Sequence, residues 1–104
     1  MIIKILREEV LIPKAWGNDK EPQPSTLRVK VPTAADVEQL LSEKANDSQI
    51  FDRFVVGADG WTDENGRELN PKDLLKAPGS YPLVTEVAGK ILNLAMLGEE
   101  EKNG

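Results

Sequence analysis

The densest run of ligating side chains lies between Asp59 and Glu68, where Asp59, Asp63, Glu64 and Glu68 stand with Asn65. Oxygen donors at alternate positions, a glycine and a glutamate six residues beyond it would hold calcium in an EF-hand loop. Aligned on Gly66, the chain places Asn65 and Asp63 correctly. It then puts Trp61 at the first ligand position and Lys72 at the last, so the template fails at both ends and a solvated hairpin is the better account. Paired carboxylates can cleave glycosides, but the 18 acidic residues are spread along the chain over faces expected to be exposed. Ser25, Ser42, Ser48 and Ser80 have no histidine partner and no G-x-S-x-G setting. With no Cys and no His, thiolate chemistry and the commonest general base are gone. No G-x-G-x-x-G and no P-loop is present. The expectation is therefore a binding protein, not an enzyme, with no catalytic, metal or cofactor-binding residue and no cofactor.

Binding then has to be read from apolar and aromatic residues. Trp16 stands beside Gly17 at a loop entrance, and Trp61 follows Gly60. A buried Trp with its N–H on a carbonyl is the expectation for Trp61, whereas Trp16 is a candidate partner anchor. In the last helix Val84, Val87, Ala88, Ile91 and Ala95 make one stripe. Leu83, Leu92, Leu94, Met96 and Leu97 are read as lying outside it, a surplus that implies either another chain or N-terminal strands wrapped around the helix. Trp16, Leu83, Leu94, Met96 and Leu97 are the candidate partner-binding residues.

These residues must be positioned by one small domain, since 104 residues bury one core and not two. No apolar run approaches the roughly 20 residues of a bilayer span. Met1 to Leu6 is too short for a secretory signal and runs at once into Arg7-Glu8-Glu9. A cytoplasmic location is expected, with no membrane partner. Residues 1–32 carry a net charge of +2 and residues 33–104 one of −7. An acidic body disfavours nucleic acid, which needs clustered Lys and Arg.

Val10-Leu11-Ile12 and Thr26 to Val31 read as strands, the second with Leu27, Val29 and Val31 on one face. Residues 2–9 are ambiguous between strand and helical turn, and the polar, proline-containing stretch 17–25 reads as a mobile loop. Thr33, with Asp36 three residues on, caps a helix carrying Val37, Leu40, Leu41 and Ala45, which ends at Asn46-Asp47-Ser48. A second short helix or turn, Gln49 to Val56, presents Ile50, Phe51, Phe54 and Val55 and stops at Gly57. Asn65-Gly66 signals a type I′ turn. Asn70-Pro71 opens a third helix, and Pro82 starts a fourth that stops at Gly98.

The fold expected is α+β: a small antiparallel sheet from the N-terminal third, three or four helices packed on it, and a short hairpin near residues 61–69. Residues 1–98 form the domain and 99–104 a disordered acidic tail. Leu27, Val29, Val37, Leu40, Leu41, Phe51, Phe54, Val87 and Ile91 are the expected core.

Across residues 26–104 the chain resembles the tail assembly chaperones of long-tailed, non-contractile phages and prophages. Four segments in order carry the likeness. They are Pro32-Thr33 with its acidic helix, Phe54-Val55-Val56-Gly57 leading through Trp61 to the acidic Gly66 turn, Leu74-Leu75 before Pro78, and a final helix with an acidic Lys-Asn end. Ala58 stands where such proteins often have tryptophan directly after the Val-Val-Gly, and Lys30-Val31 where they have Arg-Glu. The resemblance implies a protein absent from the finished virion that binds and solubilises the tape measure protein and helps recruit tail tube protein, with self-association left open. It also implies a longer frameshifted product, and Glu101-Lys102-Asn103 is a peptide that a slippery A-AAA-AAC run can encode. The alternative is a small acidic interaction protein of another kind, an inhibitor or antitoxin-like partner.

Overall fold

A computed structural model describes residues 1–2 and 7–102, with side chains as far as Met96. Three strands, β1 (Glu8–Leu11), β2 (Thr26–Lys30) and β3 (Val55–Asp59), form an antiparallel sheet in that order. Among the described residues four α-helices complete the α+β architecture: α1 (Ala34–Glu43), α2 (Asp47–Phe54), α3 (Pro71–Lys76) and α4 (Tyr81–Lys102).

The alternation in β2 does what period two requires. Leu27 and Val29 are buried beneath the helices while Arg28 and Lys30 face outward. Leu11 stands opposite Leu27 in β1, and Ala58 opposite it in β3. Of the ambiguous residues 2–9, Glu8 and Glu9 belong to β1, and residues 3–6 lie outside the described residues.

The third strand departs from the sequence reading, which ran a short helix or turn to Val56. Helix α2 ends at Phe54 and the chain turns directly into β3. Nothing in Val-Val-Gly-Ala-Asp marks a strand strongly; pairing with β2 decides it. The register slips between Arg28 and Val29, and Val56 stands exposed beside the irregularity. Gly57 stops no helix. A Cβ there would collide with the guanidinium of Arg28, which crosses it on the way to the Asp59 carboxylate, 3.6 Å away.

Helices α1, α2 and α3 start on reciprocal caps. Thr33 and Asp36, Asn46 and Gln49, and Asn70 and Asp73 each exchange side-chain bonds with the partner's backbone N–H. Asn46 thus opens α2 instead of closing α1, which ends two residues earlier on Lys44 in the left-handed conformation. At α4 the helix passes through Gly98 to Lys102, where the sequence reading placed a stop and a disordered tail. A helical glycine costs only about 1 kcal/mol, and the following Glu-Glu-Glu-Lys are good helix formers.

Leu27, Val29, Leu40, Phe51, Phe54, Val87 and Ile91 are buried as expected, joined by Ile50, Val55, Leu74, Leu83, Val84, Ala88 and Leu94. Two expected core residues are corrected. Val37 is half-buried, and Leu41 is 68% exposed. Helix α1 meets α4 along a narrow line, so Leu40 alone is fully enclosed there.

Candidate functional site

The loop between β1 and β2 is hydrogen-bonded within itself and to the elements beside it. Residues Ala15–Lys20 make two tight turns kinked at Trp16 and Gly17, both with positive φ. Asn18 is buried inside the loop. Its amide donates to the carbonyls of Pro13 and Ser25, 2.9 Å each, and its oxygen accepts the Ser25 N–H at 2.9 Å. From α4, the Glu86 carboxylate accepts the N–H groups of Lys14 (2.7 Å) and Ala15 (2.9 Å), with Lys90 at 3.3 Å. Ser25 Oγ donates to the Gly60 carbonyl at 2.7 Å, tying the loop's far end to the end of β3.

These clamps hold Trp16 at φ 56°, ψ 25° with 64% of its surface exposed. A bulky side chain in the left-handed region costs roughly 1–3 kcal/mol and persists only where its surroundings enforce it. Trp61, the other tryptophan, is half-buried, and its indole N–H donates to the Thr26 carbonyl at 2.8 Å. Both tryptophans line one groove of about 530 Å³ with Ala15, Asn18, Glu21, Pro22, Gln23 and Ser25. Sequence reasoning singled out Trp16 but not its groove. The missed signal was Asn18, one polar residue among many in a stretch whose hydrogen bonds reach outside it.

The remaining candidates separate. Leu83 and Leu94 are buried in the chain's own core, at 0% and 4% exposure. Leu83 precedes Val87 by four residues and Leu94 follows Ile91 by three, so both fall on the stripe they were assigned to lie outside. That stripe is broad because α4 is covered by α1, α2 and the 15–20 segment together. Met96, on the opposite side, is 63% exposed. Leu97 lies outside the described side chains. Leu94→Ser is therefore expected to unfold the chain at lower temperature, by about 2–4 kcal/mol of stability, and an unchanged melting curve would refute its place in the core.

The acidic stretch is a turn. Gly66 N–H bonds the Asp63 carbonyl at 3.0 Å, Leu69 N–H bonds the Trp61 carbonyl at 2.8 Å, and Thr62 pairs with Glu68. Gly66 has φ 81° while Asn65 is not in the left-handed region, so the type I′ expectation is replaced by a type I turn followed by a glycine bulge. Asp63 fixes it: its carboxylate accepts the N–H groups of Arg67 (3.0 Å) and Asn65 (2.9 Å), with the Arg67 side chain at 3.7 Å.

Those bonds, the one from the Arg67 N–H foremost, hold the Asp63 carboxyl below the ordinary aspartate range. Because the folded value is depressed, the stability it contributes is full above the ordinary value and lost as pH falls through the folded one. Asp63→Ala is thus expected to melt below the wild type at pH 7, the gap closing as the pH drops under about 4. A gap independent of pH would contradict this.

Among the described residues no three His, Cys, Asp or Glu side chains gather closely enough to hold a metal ion, and no helix is long and apolar enough to cross a membrane. In comparisons with protein-family models, curated proteins and solved structures, nothing matches this chain.

Proposed function

We propose that this chain is a tail assembly chaperone of a long-tailed phage or prophage. It works in the host cytoplasm by docking, without catalysis, to the tape measure protein, keeping that long helical client soluble and helping bring tail tube subunits to it. The observation that carries the docking reading is Trp16, held outward on strained backbone by clamps from Asn18 and Glu86. A protein with no use for an exposed indole gains nothing from that strain. The phage assignment rests on the four-segment resemblance, and its segments fall on separate structural units. Pro32-Thr33 opens α1, Phe54 to Gly57 runs from α2 into β3, Leu74-Leu75 lies in α3, and the final segment is α4. A chain of net charge −5 that leaves Trp16, Tyr81 and Met96 exposed is suited to shielding an aggregation-prone client.

Co-expression with a tape measure protein tests the reading. The client is expected in the soluble fraction and on the chaperone in pull-down, and Trp16→Ala and Met96→Ser are expected to reduce both. A client equally insoluble with and without this chain would defeat the proposal. Leu83 and Leu94 take no part in docking, since exposing them requires unfolding the core.

A further inference from the structure

The groove between the tryptophans has a charge character that the docking reading leaves unused. Of the residues lining it, the one that carries a charge is Glu21. The polar edge of Trp61 is spent on the Thr26 carbonyl, and Asn18 is spent on Pro13 and Ser25. What the groove has left to offer a ligand is two indoles, the ring of Pro22, the Gln23 amide and the one carboxylate.

That combination suits a cation on an apolar stem. Indole is the best aromatic partner for a cation, and Arg is the more frequent of the protein cations found on it. The alkyl stem of Lys or Arg packs on apolar surface while its head stays near water and a counter-charge. A neutral apolar side chain would use the indoles and leave the exposed Glu21 carboxylate to water, gaining nothing from it. A carboxylate ligand would be repelled by Glu21.

We propose that this groove receives the side chain of a basic residue, Lys or Arg, from a partner protein, its stem against Trp16 and Trp61 and its charged head at Glu21. The inference rests on reading the chain as a docking module and specifies which part of a partner enters this groove. The clamps fit that role. An anchor fixed before binding loses little freedom on binding, which is what preorganisation contributes to affinity.

The test is a titration of the full chain, isotope-labelled, with N-acetyl-arginine amide and with its uncharged counterpart N-acetyl-citrulline amide at matched ionic strength. The arginine probe is expected to shift the indole N–H resonances of Trp16 and Trp61 in a saturable way. Citrulline should bind at least about threefold more weakly, the size of an exposed cation–π contribution. Glu21→Gln should weaken the arginine response by a similar factor, and Trp16→Ala should abolish it while the Asn18 side-chain amide resonances stay in place, showing the loop intact. Equal responses to arginine and citrulline, or an arginine response unchanged in Glu21→Gln, would overturn the proposal. Arginine binding without capture of a tape measure client would retire the phage assignment and leave this inference standing. Client capture without any arginine response would do the reverse.

Discussion

Phe54→Ala is expected to cost about 3–5 kcal/mol of folding stability, which for a chain of this length is a large part of the total of roughly 5–15 kcal/mol. Phe54 is 7% exposed, and its neighbour Phe51, one turn earlier on α2, is fully buried. Helix α2 is eight residues long and would be marginal alone. It exists because Ile50, Phe51 and Phe54 fill the space between α4 and the sheet. Truncating the ring leaves a cavity that the sheet on one side and α4 on the other cannot both close. Urea unfolding should show a lower midpoint with an unchanged slope. Leu41→Ala serves as the control, since that side chain is exposed and its loss should stay within about 0.5 kcal/mol. A Phe54→Ala loss no larger than the control's would mean that α2 does not hold the core.

The contrast between Phe54 and Leu41 also shows how far local pattern reaches. Both stood at helical spacing in the sequence, and both were expected inside. Spacing says which residues share a face; it does not say how wide the covering neighbour is. For α1 that neighbour is narrow, so Leu41 is left out, and for α4 it is broad, so Leu83 and Leu94 are taken in. Capping chemistry, by contrast, is local, and Thr33 with Asp36 and Asn70 with Pro71 were legible from residues a few positions apart. Strand β3 was not legible, because its conformation is imposed by β2 and its glycine answers to Arg28, 29 positions away in the chain. The groove was legible only in part. Trp16 announced itself by type, while its partner Trp61 is brought to it by the Ser25–Gly60 and Trp61–Thr26 bonds between distant segments.

Asn18→Ala should therefore act on the site and on the fold together. The Asn18 side chain fills both its donors and its acceptor, and no buried side-chain polar atom among the described residues lacks a partner. Alanine would strand the carbonyls of Pro13 and Ser25 and the N–H of Ser25. A buried polar group left unpaired costs about 1–3 kcal/mol, and water can reach the half-buried Ser25 groups, so a total of about 2–4 kcal/mol is expected. Asn18→Asp separates hydrogen bonding from volume. The carboxylate matches the amide in shape but cannot donate, and it would face two carbonyl oxygens at hydrogen-bonding distance. At pH 7 it should be no better than alanine, and it should recover part of the loss as the carboxyl gains a proton and with it one donor. Because the strain at Trp16 is held by this clamp, freeing the loop also lets Trp16 relax out of the left-handed region. The arginine response of the groove should then weaken even where the protein remains folded. Amide exchange at Ser25 reads the clamp directly, and a Ser25 N–H as protected in Asn18→Ala as in the wild type, with an unchanged melting temperature, would show that the loop is held by something other than this side chain.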